Sequence, residues 1–465
     1  MNNQETQPVS SLPSYITSAS PNPLGNRVPW YKTTAQTYAG IFLWFAFWDQ
    51  MSGNGLRDGG LGPVLIGIVL GAIICHFLFF LVPGILGVQT GLPLYIVGTS
   101  TFGAAGGLIM PGFLMGVLQF GWLAVNSFFA ATALVAGFHA PALRVPICIL
   151  WTVGAAFVGM MGIKYVARVA TYLPIIPLVV LIVGLILLGG PAVDFKPDAG
   201  AAASGGAMKA VLAMIAAIVG FFATAGAAGV DICASNRDQR DVSLGGIVGI
   251  IIAIIFTAGI SVIAVAGAQA GHVVDPANSD SLKMTFALQK KLPDGLFAAS
   301  MIGLTLAAFP GACFSSYIAA NSFKTTMPKV NPLLSVGIGA VVSIILAVTG
   351  LAGNLVSVFG LIGASFGPIV GAMVVDYLMA GGRWAGPRAG FNPAGWIAWL
   401  VGFIVGILPN DMLPPAVRVN VPCAPVAAFV VGAALYFVLA KMGLQTQVIP
   451  LPAKASTPVP QPAAK

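Results

Sequence analysis

The chain has 465 residues, of which 58% are hydrophobic and only 7% charged. Soluble globular domains carry about 25% charged residues, so this composition excludes a water-soluble fold and predicts a polytopic membrane protein. The formal charge of +8 comes from 21 basic and 13 acidic residues. Most of the basic ones, among them Arg27, Lys32, Lys164, Arg168, Arg237, Lys324, Arg383 and Lys441, fall in alternate connections. This bias orients helices across a bilayer, with both termini cytoplasmic, and does not call for nucleic acid as a partner.

In chain order, residues 1–33 are polar and rich in Ser, Pro and Asn. They lack the apolar core of a signal peptide, so the first spanning helix is the expected insertion signal. Crossing about 30 Å of hydrocarbon takes about 20 apolar residues. Runs of that kind lie at 34–52, 61–82, 105–136, 143–161, 169–190, 207–229, 242–270, 296–320, 332–350, 355–380, 393–409 and 422–443. The expected fold class is all-α with twelve transmembrane helices. Residues 34–190 form a first repeat of five helices, 207–380 a second, 393–443 helices eleven and twelve, and 449–465 a Pro- and Ala-rich disordered tail. Cys75, Cys148, Cys233, Cys313 and Cys423 stand singly in apolar surroundings, which points to packing rather than to disulfides or a metal.

Helix one contains Phe45-Ala46-Phe47-Trp48-Asp49-Gln-Met-Ser-Gly53-Asn-Gly55, and helix six contains Gly220-Phe221-Phe222-Ala-Thr-Ala-Gly226-Ala-Ala-Gly229-Val-Asp231. Glycine costs a helix about 1 kcal/mol relative to alanine. Clusters of it at membrane depth suit backbone that lines a cavity, although small residues also permit close helix packing. Two such stretches five helices apart are the pattern of a five-plus-five inverted repeat with a midplane substrate site. Asp231 and Asp49 are the candidate ligand-binding or proton-coupling acids, because an ionised carboxylate at the bilayer centre costs about 2.5–3.5 kcal/mol. Asp376, near the end of helix ten, is expected to pair with Arg383.

Helix three carries Gln119 and Trp122 one turn apart. A buried amide without a partner costs about 1–3 kcal/mol, so Gln119 requires one. An amide that reads an edge beside an indole that offers a face suits a flat, polar, uncharged ligand. Helix eight carries Thr305, Ala308, Phe309 and Pro310-Gly311, and its proline is expected to kink the helix and free carbonyls for a cation or a neighbouring helix.

These motifs, taken together from about Val28 to Leu444, resemble the nucleobase:cation symporter-1 family, the purine-cytosine permeases, and the bacterial cytosine permeases in particular. The resemblance is carried by Val28-Pro-Trp-Tyr-Lys-Thr-Thr entering helix one, Gly87-Val-Gln-Thr-Gly91 and Thr101-Phe-Gly103 before helix three, and the Gln119–Trp122 stretch. Further matches are Gly162-Ile-Lys164, Gly220-Phe-Phe-Ala-Thr-Ala-Gly226 with Asp231, and Pro368-Ile-Val-Gly371 with Asp376-Tyr377. It implies a LeuT-like fold in the inner membrane that imports a nucleobase, cytosine or a purine, with a cation by alternating access. It also implies substrate contacts from Gln119 and Trp122, an opposing aromatic wall at Phe222 beside Phe221, and a helix-one contact near Ala46 or Phe47.

Two departures stand out. Where the family has Asn and paired Thr around a sodium site, this chain has Thr305, Ala308 and Phe309. Hard cations favour oxygen ligands, so the coupling ion is open between sodium at Thr305 and Ala308 and a proton at Asp231 or Asp49. The bulk of Phe221 is the second departure and is expected to reshape the pocket. No cofactor is expected; the partners are the small heterocycle and the lipid bilayer, and a monomer suffices. The competing readings are the same fold with another cargo, such as allantoin, a hydantoin, a vitamin or an amino acid, and an intramembrane aspartyl protease, against which the missing GxGD pattern at Asp231 speaks.

Overall fold

The computed structural model describes residues 12–32, 47–48, 52–173, 175–200, 205–274 and 283–451, and among them the secondary structure is helical apart from two isolated bridges. Most of the first expected span, including Ala46 and Asp49, lies outside the described residues. From its far end the chain continues as α1 (Ser52–Gly59), α2 (Leu61–Thr90), α3 (Leu108–Phe138), α4 (Pro141–Met160), α5 (Ile175–Leu188) and α6 (Gly206–Ala227). It goes on as α7 (Gln239–Ala270), α8 (Asp294–Thr326), α9 (Pro332–Val348), α10 (Leu355–Met379), α11 (Pro393–Ile407) and α12 (Ala424–Lys441). Eight of these helices are long and apolar enough to cross a membrane, and α5, α9 and α11 are shorter apolar helices. The protein is thus a multi-pass membrane protein.

Every expected span from the second to the twelfth holds a helix. Hydrocarbon offers backbone groups no hydrogen bonds, so spanning segments must satisfy them within the helix, and polar residues gather where the helices end. Asp238 caps α7 by accepting from the Asp241 N–H, Asn331 caps α9 with Pro332 in its first turn, and Asn354 caps α10. Gly91 ends α2 in the left-handed conformation that glycine adopts without strain. The spans touch in a pattern that explains the sequence repeat: α1 packs on α6, α2 on α7, α3 on α8 and α4 on α9, each helix on the one five places later.

Three expectations change. The run at 169–190 divides into a helix over Ile163–Tyr172 and α5, because Lys164, Arg168 and the tyrosines suit a membrane surface better than hydrocarbon. Within the Gly220–Asp231 stretch, α6 stays helical through Ala227. The interruption falls at Ala228, before a short helix over Gly229–Cys233. Pro310 sits inside an uninterrupted α8 rather than breaking it, since packing along α3 holds that helix over its length.

Both described ends of the chain lie on one face. Val28 N–H donates to Ser235 O at 2.7 Å, Asn22 N–H to Gly91 O at 2.8 Å, and Arg27 Nη1 to Val88 O at 2.7 Å. The other end follows suit, as Ile449 N–H donates to Pro387 O at 2.8 Å and Thr446 N–H to Asn392 Oδ1 at 3.1 Å. Asp376 belongs to this second set. Its partner is Arg388, at 3.1 Å, with Tyr436 donating from 2.7 Å, and not the expected Arg383, whose Nε bonds the Ala380 carbonyl. Arg388 is the better partner because its own Nε is already fixed on Ser100 O at 2.8 Å.

Candidate functional site

The site is built on α3. Residues three and four apart share a helix face, so Gln119, Trp122 and Asn126 form one stripe, with the two amides about 10 Å apart along the axis at 1.5 Å per residue. All three are buried, at 4%, 7% and 4% exposure, which takes them away from lipid and solvent alike.

Trp122 is held from two sides. Its indole N–H donates to Thr224 Oγ1 on α6 at 3.0 Å. Its ring meets Phe221 edge-on, with centroids 5.5 Å apart, and leans on Phe359 of α10, also at 5.5 Å. Phe221 and Phe359 close the triangle at 5.6 Å. Such pairs contribute about 0.5–1.5 kcal/mol each beyond area burial. Gly220 makes the triangle reachable: a Cβ there would lie 2.7 Å from the Phe359 carbonyl oxygen, so only glycine lets α6 and α10 come this close.

The expected wall was Phe222; the ring against Trp122 is that of its neighbour Phe221, joined by Phe359. Consecutive helical residues diverge by about 100°, so only one of the two phenylalanines can face α3. Phe222 is buried too, without a ring contact to Trp122 among the described residues. Phe47 is buried as well, while Ala46 and Asp49 fall outside the described residues.

The two amides are short of partners. Among the described residues, the one hydrogen bond of the Gln119 side chain runs from Nε2 to the Met115 thioether, 3.3 Å away and one turn back on the same helix. Sulfur is a weak acceptor, so most of this amide's capacity is unused. Asn126 donates through Nδ2 to the Trp122 carbonyl at 2.8 Å, and its Oδ1 is buried without a partner among the described residues. Only an NH2 group can donate to a carbonyl, which fixes the free end of Asn126 as an oxygen, an acceptor. Asn126 is a residue that the motif reading passed over, although an amide seven places after Gln119 was a visible signal. Thr224 lay unremarked within the glycine stretch, and Phe359 had no signal at all.

Asp231 is not joined to this cluster. It lies seven residues beyond Thr224, past the Ala228 interruption, where its Oδ1 accepts from the Leu94 N–H at 3.1 Å. The side chain reaches solvent yet is surrounded by protein, as in a recess. That surrounding pushes its carboxyl up to about 6, with the Leu94 N–H opposing. Tyr95 lines the same recess, its phenol raised by burial and by the Asp231 charge and lowered by a hydrogen bond with Thr325. Asp376 is tied to Arg388 and Tyr436, so the two aspartates have separate partners and do not form a protease-like dyad.

On α8, the Thr305 hydroxyl is directed at the Met301 and Ala130 carbonyls, at 2.8 and 3.3 Å. Ala308 is buried with no side-chain oxygen to offer, and the Phe309 ring meets Trp151 edge-on at 5.2 Å. Among the described residues no cluster of three or more His, Cys, Asp or Glu could hold a metal ion.

No family model matches the chain, and no curated protein matches it in sequence. Solved structures do match. The inward-facing conformation of Mhp1 is 16% identical with a TM-score of 0.69, over 95% of this chain and 97% of that one. Mhp1 closed with bromovinylhydantoin bound, described as a nucleobase-cation-symport-1 family transporter, is 16% identical with a TM-score of 0.66, over 93% and 97%. A Na+-coupled sialic acid symporter in a substrate-bound outward-open state is 12% identical with a TM-score of 0.60, over 94% and 93%. These are transporters, not enzymes, and likeness over nearly the whole length at such low identity shows a shared architecture: the chain has the LeuT-like fold.

Proposed function

We propose that the protein is a secondary transporter that imports a nucleobase or related planar heterocycle across the plasma membrane by cation-coupled alternating access, with both termini cytoplasmic. The carrying observation is the pair of under-used buried amides, Gln119 and Asn126, on either side of an indole that α6 and α10 hold in place. A flat ring stacked on Trp122 would meet Gln119, able to donate and accept, at one edge, and Asn126, able only to accept, at the other. The complementary ligand therefore has an N–H beside a C=O on one side and a further N–H on the other, as cytosine, the purines and cyclic ureides variously do. The hydrogen-bond and ring partners of Trp122 among the described residues, Thr224, Phe221 and Phe359, are uncharged, which favours a neutral heterocycle over an amino acid.

The test is uptake of radiolabelled cytosine, uracil, hypoxanthine, hydantoin and allantoin into cells expressing the protein. For the base that is taken up, Gln119→Ala is expected to lower kcat/KM by about tenfold or more, the scale of one lost buried hydrogen bond. Asn126→Ala is expected to do the same, and N-methylation of the ligand edge facing Asn126 to abolish uptake. Unchanged uptake by both well-expressed variants would sink this reading.

A further inference from the structure

A second buried polar group lies in the contact between α2 and α7. His76 is 1% exposed, and its Nδ1 has no hydrogen-bond partner among the described residues. It is the second residue of a π-helical stretch of α2, Cys75–Phe80, that packs on a π-helical stretch of α7, Ile247–Ile252. The ring's Nδ1 edge faces Gly246, where a Cβ would come within 2.3 Å, and its sides face Phe77 at 4.6 Å and Phe80 at 6.2 Å between centroids.

An ionisable side chain at this depth is costly and commonly marks a proton or ion pathway, and single π turns recur at functional positions in helices. Here the features coincide. A π turn takes in one extra residue, which withdraws a carbonyl from the regular helical ladder and makes it available to another donor. A neutral imidazole with its proton on Nε2 presents a lone pair at Nδ1. Once protonated, Nδ1–H requires an acceptor, which a shift of either π stretch would supply by turning a carbonyl toward the ring.

Among the described residues no counter-charge competes for this role. Of the elements around the ring, α7 carries its charges, Arg240 and Asp241, in its first turn, where Asp241 is paired with Arg237 at 2.7 Å. The α6 side presents the Ile218 carbonyl to the Cys75 thiol, and beyond it Asp231 is bound to Leu94 and Cys233 is buried against Gly84. On α10 Asp376 is held by Arg388, and α12 meets this part of α2 through Phe429 on Phe79.

We propose that His76 is the proton site of the transport cycle. It takes a proton on Nδ1 from the water outside and gives it to the water inside, and the change of charge repacks the α2–α7 contact between the two states. This rests on the transporter reading above and supplies its coupling ion.

One test needs no substrate. His139 and His272 are exposed and have positive φ, a conformation that Asn tolerates, so the His139→Asn, His272→Asn double variant leaves His76 as the sole histidine. With 15N-histidine label in lipid nanodiscs, the ring is expected to pass from neutral to imidazolium within about pH 5–8. A ring that stays neutral throughout overturns the proposal. In proteoliposomes, His76→Gln is expected to bind the transported base within about threefold of wild type and to lose about tenfold or more of accumulation driven by an inward proton gradient. Wild-type accumulation in that variant also overturns it. If no base binds the wild-type protein, the heterocycle reading fails, and the histidine titration still decides the proton site.

Discussion

At the scale of single residues, the site depends on a division of labour around one indole. Trp122 has one donor, and Thr224 takes it, so the ring stacks without hydrogen-bonding a ligand while the amides of Gln119 and Asn126 do the selecting. Thr224→Val removes the acceptor and keeps the shape. The stranded indole N–H costs about 1–3 kcal/mol, and the ring gains freedom to turn. Equilibrium binding of the transported base should weaken by about tenfold, while the spread in affinity across related bases stays the same, since Thr224 sets the position of the stack and not its selectivity. Loss of selectivity with unchanged affinity would contradict this. The amide and indole were legible because polar groups are conspicuous in an apolar run. The choice between Phe221 and Phe222 was not, because it depends on the rotational phase of α6, and only the close approach at Gly220 sets that phase.

At the scale of elements, glycines decide how near the helices come. Gly220 lets α6 meet α10 through backbone, and Phe221 and Phe359 arrive at Trp122 as a result. Gly220→Val would push the helices apart against a carbonyl that has nowhere to move, an overpacking cost of about 1–3 kcal/mol. The expected outcome is a lower unfolding temperature together with weakened base binding, read by differential scanning fluorimetry with and without ligand. A variant that loses neither would show that the α6–α10 contact is not what positions the stack. The glycine stretch in helix six signalled an interruption, but composition cannot say which of its residues yields. The structure puts it at Ala228, between α6 and the short helix over Gly229–Cys233. Likewise Pro310 lies inside a helix that runs unbroken along α3. Both outcomes show tertiary contacts overriding local propensity.

At the scale of the molecule, the first four helices each pack on the one five places later, in a scaffold whose repeat the sequence announces through the matched glycine-rich stretches of helices one and six. What those stretches could not convey was the recess at Asp231, because its wall comes from distant parts of the chain: Leu94 and Tyr95 before α3, and Thr325 at the end of α8. The recess raises the Asp231 carboxyl to about 6, from 3.8 for the free group. A raised folded-state value means that ionisation opposes folding. The penalty is absent below pH 4, grows as pH rises from about 4 to 6, and is constant above that. Asp231→Asn is therefore expected to raise the unfolding temperature at pH 7.5, with the difference shrinking as pH falls through that window and vanishing near pH 4. A difference independent of pH would mean that the carboxyl is not enclosed as the structure shows.

The hydrogen bond from Asn22 to Ala234 joins residues 212 apart in the chain. Segment 12–32 is made well before its seats at Ala234 and Ser235, which lie beyond α6. At about 5–20 residues per second this is a wait of roughly 10–40 s. Throughout that interval the segment's bonds to Ala234 and Ser235 are unmade, while its partners Val88, Gly91 and Ala104 become available earlier. A segment made early thus completes its contacts late.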